Sequence, residues 1–294
     1  MIHHRSPLRR RLRQYGIGYA FVAVPVLAGV IFLLIPMITT LGWSFTRFNG
    51  LQPPQFVGID NYARLFTHDR IFIKALWNTF RFTILGMLIG PTLGLLTALM
   101  LNQKVRFQAF YRTAYFLPVM TSLVVVATIW RMIYNKHGLL NLALGALGLE
   151  PIRWLSDPHW ALFSIVIASV WQGFGFETVI FLAALQGIPA TLYEAAALDG
   201  ANVWQRFWHV TLPALRPVIL FIYIIGIIGS FQVFDQVFVM TSGGPANSTI
   251  TLVYYLYSKF MDLRLGYASA IAYVLFGILM VFSYLQWRFF TETD

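Results

Sequence analysis

An all-α membrane protein with six transmembrane helices is the fold class this sequence predicts, and three observations carry it. Hydrophobic residues make up 58% of the chain and charged residues only 11%, with mean hydropathy +0.68. A soluble domain carries roughly a quarter charged residues. Apolar runs of about twenty residues, the length that crosses a bilayer as a helix, recur six times along the chain. The formal charge of +10 includes Arg5, Arg9, Arg10, Arg11 and Arg13, placed directly before the first run. Such a cluster is topogenic and faces lipid headgroups, so the basic balance does not signal nucleic acid. Cysteine is absent, which excludes disulfides, thiol catalysis and thiolate metal sites.

The basic tail covers residues 1–15, and a membrane domain covers 16–290. Gly16–Leu41 is the first span, with Pro25 and Pro36 as expected kinks; its apolar run is too long for a cleaved signal peptide. A polar segment with Pro53-Pro54, Gly58 and Asp60-Asn61 leads to the second span, Ile73–Leu101, expected to break at Gly90-Pro91. Lys104, Arg106 and Arg112 mark a short basic turn after it and into the start of the third, Ala109–Ile133, which contains Pro118. A loop of small residues follows, with a surface helix near Leu139–Leu149. Trp160–Ala184 is the fourth span, Ala214–Met240 the fifth and Tyr267–Phe289 the sixth. Both dense basic clusters then fall on one side, and the positive-inside bias makes it the cytoplasmic side, with both termini.

Between spans four and five lies a mixed polar and apolar stretch, 188–213. Thr191 and Glu194 have capping-box spacing for a helix start. Asp199-Gly200 interrupts the helical pattern where positive φ is easiest. Asn202 with Gln205 forms a second capping box, and Val203, Phe207 and Val210 share one face of the short helix it opens, beside Trp204 and Trp208. Pro213 then opens the fifth span, where a missing amide costs least. The expectation is helix, sharp turn, helix at the cytoplasmic surface, a docking element.

Glu194-Ala195-Ala196, Asp199-Gly200-Ala201 and Leu212-Pro213 resemble the cytoplasmic "EAA" loop of binding-protein-dependent ABC import permeases. The resemblance extends over about Ile17–Phe289 and implies the type I ABC importer permease fold in a bacterial cytoplasmic (inner) membrane. It implies that Glu194, Ala195, Ala196, Asp199, Gly200, Ala201, Phe207, Leu212 and Pro213 couple the chain to an ATPase. The implied partners are a second permease subunit of different sequence, two copies of an ABC ATPase, and an extracytoplasmic solute-binding protein. The chain itself shows no P-loop: none of Lys74, Lys104, Lys136 or Lys259 follows a glycine, as phosphate cradling requires. It is therefore not expected to be an enzyme or to bind a cofactor, and ATP and Mg belong on the partner ATPase.

Ionisable residues at membrane depth are costly and point to function. Arg81 is close enough to a helix end to snorkel. Glu177 lies among aromatics and amides in Trp171–Phe176, and Asp235 follows a similar run from Ser230. Such faces suit a sugar, with its apolar C–H faces and rim of hydroxyls; hydrogen bonding between helices is the other reading. The resemblance to maltose-type sugar permeases implies a substrate pathway at Tyr115, Val119, Ser169, Gln172, Gly173, Ser230, Phe231, Gln232 and Phe234, to which the reading of the carboxylates at membrane depth adds Glu177 and Asp235. The Gly243-Gly244-Pro245 turn, flanked by Thr241, Ser242, Ser248 and Thr249, also resembles that subgroup and implies a face for the sugar-binding protein. Import of a di- or oligosaccharide is the function these readings favour. Import of a glycerol phosphate-type solute and ion-coupled secondary transport through Glu177 and Asp235 are the alternatives. The six dispersed histidines offer no metal spacing.

Overall fold

The computed structural model describes residues 7–103 and 106–291, so Arg5 and Lys104 of the two basic clusters lie outside the described residues. The chain divides into two compact units. One comprises residues 1–63 and 259–273, the other 64–258 and 274–294.

In the first unit a helical run comprises α1 (Pro7–Gly29), a π-helical turn (Val30–Leu34) and α2 (Ile35–Ser44). The expected kink at Pro36 takes the form of that π turn. A proline ring clashes with the carbonyl four residues back, and widening the preceding turn to i→i−5 bonding relieves it; the amide of Ile35 accordingly donates to the Val30 carbonyl. Two short strands, β1 (Thr46–Arg47) and β2 (Gln55–Phe56), pair antiparallel after it. Asn61 donates to the carbonyls of Ser44 and Thr46, and Tyr62 to the Ser44 hydroxyl, which fixes the polar segment on the end of α2.

The second unit holds most of the membrane helices. After α3 (Asp60–Thr67), α4 (Arg70–Leu101) starts on Asp69, whose carboxylate accepts from the amides of Ile71 and Phe72. This helix does not break at Gly90-Pro91: one hydrogen bond is lost, yet at membrane depth the released groups have no water to turn to, so continuing the helix costs less. Then come α5 (Gln108–Met120), α6 (Leu123–Ile133), α7 (Leu139–Ala146) and α8 (Ala161–Gln186). The expected third span is not one straight helix, because α5 and α6 meet at a 102° bend. Thr121 is extended and Ser122 has left helical geometry there, with ψ 135°, and the Thr121 hydroxyl donates to the Leu117 carbonyl at 3.0 Å. A side chain offering itself to the backbone in this way makes a break tolerable. Among the described residues, five helices are long and apolar enough to cross a membrane, and six when the bent pair is taken as one span.

Next are α9 (Ala190–Leu198), α10 (Val203–Arg206), a second π turn (Phe207–Thr211), α11 (Leu212–Phe231), α12 (Asp235–Met240), α13 (Leu252–Met261) and α14 (Leu265–Thr291). The expected fifth span therefore stops nine residues short of Met240, at a break over Gln232–Phe234. The Val233 carbonyl freed there accepts from the Thr251 hydroxyl at 3.1 Å, a tertiary contact between residues distant in sequence.

Close packing of α4 on α8 is the spine of this unit. Ala75, Gly86, Gly90, Gly94 and Ala98 are buried on α4, and Ala161, Ser164, Ala168 and Gly175 on α8. Small residues let helix backbones approach where no hydrophobic force separates helix from lipid. Along α8 the apolar core divides. Leu162, Ile165 and Val166 pack with Phe82, Val233 and Val237, and Phe181, Leu182 and Leu185 pack with Ala98, Leu101, Leu215 and Ile222.

The segment after α12 is laced to the first turns of α4. Lys74 donates to the Ala246 carbonyl at 2.7 Å, and Asn78 donates to those of Asn247 and Ile250. The Leu252 amide donates to the Thr79 hydroxyl, and the Tyr255 hydroxyl to Asp69 at 2.6 Å. The Gly243-Gly244-Pro245 turn sits inside this segment, with Gly243 at φ +80° and the Thr249 hydroxyl donating to the Gly244 carbonyl.

Candidate functional site: a membrane cavity and a docking element

Two features gather the residues expected to function, and one helical run joins them. The first is a cavity of about 320 Å³ within the second unit. Midway along α4 it is lined by Phe82, Gly86, Met87 and Gly90; from α8 come Ser169, Gln172, Gly173 and Glu177. Gly226, Gly229 and Ser230 close it from the last turns of α11, Gln232 and Phe234 from the break after them, and Asp235 from the start of α12. Leu123, the first residue of α6 after the 102° bend, also lines it. Both breaks in the helical scaffold thus converge on the cavity. Irregular backbone at membrane depth is stable only where protein or a wet cavity surrounds it.

Eight residues expected on the pathway lie together here: Ser169, Gln172, Gly173, Glu177, Ser230, Gln232, Phe234 and Asp235. Tyr115, Val119 and Phe231 do not line the cavity. Tyr115 and Val119 press on Gly175, where an added Cβ would collide with the Tyr115 carbonyl oxygen and meet Val119 Cγ2 at 3.0 Å. Phe231 is fully buried and stacks edge-on against Phe80 at 5.1 Å. Asp235 opens α12 rather than lying inside a span. The contribution of α4 was missed; its signal was the spacing of Gly86, Gly90 and Gly94, one small residue per turn on a single face.

Glu177 is wedged. An added Cβ at Gly94 would lie 2.8 Å from Glu177 Cβ, and one at Gly90 3.1 and 3.2 Å from its two carboxylate oxygens. Gly94 leaves room for the Glu177 stem, and Gly90 leaves room for its carboxylate. Its Oε2 and the hydroxyl of Ser169 are buried without a hydrogen-bond partner.

The second feature is the turn between α9 and α10. The Ala201 amide donates to the Ala196 carbonyl and that of Gly200 to Ala197, with Gly200 at φ +78°. This is the Schellman closure that left-handed glycine permits. Asn202 then caps α10 as expected: its side chain accepts from the Gln205 amide at 2.9 Å, while the Gln205 side chain accepts from the Asn202 amide at 2.8 Å. The expected box at Thr191–Glu194 is not formed. Pro189 sits at the N-cap and α9 starts at Ala190, so Thr191 is already inside the helix and cannot cap it.

Pro213 does not open a span either. From Val203 to Phe231 the chain is one helical run of 29 residues, with the π turn at Phe207–Thr211 ending two residues before Pro213, as Val30–Leu34 ends two before Pro36. The clash with a carbonyl four residues back is relieved the same way at both sites. The Tyr193 hydroxyl and Thr211 Oγ1 lie 2.9 Å apart, tying α9 to that turn. Glu194, Ala195, Asp199 and Gly200 are exposed, and Ala196 and Ala201 are half-buried. Leu198, Val203 and Trp204 are 90%, 76% and 66% exposed, an apolar surface that the chain leaves uncovered. A hollow of about 330 Å³ lies in the angle, lined by Ala196, Asp199, Gly200, Ala201, Arg206 and His209.

Residues 90–287 match the family described as binding-protein-dependent transport system inner membrane component. The chain belongs to this family. The permease is 40% identical over 291 residues to the lactose transport system permease protein LacF of Rhizobium radiobacter, covering 96% of each chain. It is 38% identical over 284 residues to the multiple sugar-binding transport system permease protein MsmF of Streptococcus mutans, covering 95% of this chain and 96% of that one. Among solved structures it resembles a chain of a bacterial alginate ABC transporter crystallised with an alginate pentasaccharide-bound periplasmic protein. The TM-score there is 0.84 at 25% identity, with 94% of each chain covered. The permease is thus a multi-pass membrane protein with the type I ABC importer permease fold.

Proposed function

We propose that this permease imports a sugar, a di- or oligosaccharide, received from an extracytoplasmic solute-binding protein and released into the cytoplasm. ATP binding and hydrolysis on two separate ABC ATPase subunits drive it, and a second permease of different sequence completes the pathway. One observation carries the coupling: the docking turn and the cavity are the two ends of one helical run, Val203 to Phe231. At about 1.5 Å per residue it is roughly 43 Å long. A displacement imposed at Val203 is delivered at Ser230, on the cavity wall. ATPase closure and the cavity's opening to one side are then two states of the same lever, each favoured by a different set of contacts. The curated relatives named for lactose and multiple sugars support the sugar class, as does a cavity combining Phe82 and Phe234 with serines and glutamines.

Two substitutions test the coupling end. Gly200→Pro demands negative φ where the chain has +78°, and Glu194→Lys reverses an exposed charge without a cap to lose. Both are expected to insert normally yet reduce uptake and sugar-stimulated ATP hydrolysis at least tenfold. Normal uptake by both variants would remove the docking assignment.

A further inference from the structure

We infer that the sugar this permease passes carries no negative charge: the cavity accepts neutral or amino-bearing saccharides that donate hydrogen bonds to Glu177 and Asp235, and it rejects uronates and phosphate esters. The inference rests on the sugar-import reading above and adds the charge class of the cargo. Among the described residues, the cavity lining holds two carboxylates, Glu177 and Asp235, and no lysine, arginine or histidine. Arg81, one position before the lining residue Phe82, is exposed and does not reach the lining. An anionic cargo would therefore be drawn from water beside two carboxyl groups with no cation on this wall to pair it, and a buried charge without a partner is costly.

Glu177 stands at that encounter. A Cβ at Gly94 would lie 2.8 Å from Glu177 Cβ and one at Gly90 3.1 and 3.2 Å from its carboxylate oxygens, so the two glycines leave the space that Glu177 fills beside the cavity. Its Oε2 lacks a hydrogen-bond donor, as the Ser169 hydroxyl lacks a partner. A buried acceptor without a donor is costly. A sugar hydroxyl or an ammonium group supplies the missing donor; a second carboxylate or a phosphate supplies only more acceptors. The remaining polar lining, Gln172, Ser230, Gln232 and Gln236, can donate or accept, so it does not select by charge. Selection against anions falls to Glu177 and Asp235.

Three disaccharides of matched size distinguish the outcomes: one of neutral hexoses, one of glucosamine and one of galacturonate. Each is titrated against the complete permease–ATPase complex in nanodiscs without the binding protein, and binding is read by saturation-transfer NMR, which registers millimolar affinities. The neutral and amino disaccharides are expected to bind at least tenfold more tightly than the galacturonate. Glu177→Gln and Asp235→Asn together are expected to bring galacturonate within about threefold of the neutral sugar. Galacturonate binding as tightly as the neutral disaccharide in the unaltered complex would overturn the inference, as would an unchanged preference in the double variant. Failure of all three sugars to bind a complex that still hydrolyses ATP would instead defeat the sugar reading on which it rests.

Discussion

Gly175 and Gly226 both face another helix across a close contact, and the two contacts differ in what can yield. A Cβ at Gly175 meets the Tyr115 carbonyl oxygen and carbon, which are backbone atoms of α5. A Cβ at Gly226 meets Sδ and Cε of Met87 at 2.6 and 2.7 Å, the far end of a flexible side chain. Overpacking that only a backbone shift can relieve costs about 1–3 kcal/mol, whereas Met87 can change rotamer. Gly175→Ala is therefore expected to lower the thermal unfolding midpoint of the purified complex by several degrees, and Gly226→Ala by less than about two. Equal shifts would mean that α5 does not lie against α8 at this point. The same distinction between local and tertiary causes explains what could be read at single residues. Asn202 and Gln205 form their box because both partners lie within one turn. The Thr191–Glu194 box fails because Pro189 starts the helix first, and nothing within the four residues of the box announces that.

At the scale of elements, the run from α10 through the π turn to α11 transmits only if it is stiff. Phe221 and Ile225 are exposed positions near its middle, so replacing both with glycine removes no core contact. Each glycine weakens a helix interior by about 1 kcal/mol. The pair is expected to leave ATPase co-purification intact while lowering uptake about tenfold, because the docking turn still engages but its movement is absorbed along the run. Full uptake by the double-glycine variant would show that α11 need not act as a rod. The continuity of this run was not legible beforehand. Pro213 reads as a start signal, and the π turn that lets a helix pass through it has no sequence mark beyond the proline itself. The breaks at Thr121–Ser122 and Gln232–Phe234 escaped for a related reason. Hydropathy continues across both, and what ends α11 is stabilised by Thr251, eighteen residues beyond the carbonyl it satisfies.

For the whole molecule, the number and order of apolar runs were legible because hydropathy answers directly to the bilayer, and most of the cavity residues on α8 and after α11 were singled out through resemblance. The wall supplied by α4 was not, since glycines spaced one per turn serve packing and cavities alike. Orientation follows from charge density alone, and the absence of cysteine makes it cleanly testable. Leu198 on the docking turn and Leu147 after α7 are 90% and 76% exposed, and α8 is the one candidate span between them. Single cysteines at these two positions must therefore lie on opposite faces of the membrane if α8 crosses it. With the dense basic clusters inside, a membrane-impermeant maleimide should label Leu198→Cys only in inside-out vesicles and Leu147→Cys only in right-side-out ones. The reverse pattern would place the docking turn away from any cytoplasmic ATPase, and labelling of both from one side would mean that α8 does not cross. The first pattern alone is compatible with a lever whose driven end is in the cytoplasm and whose working end is a cavity within the bilayer.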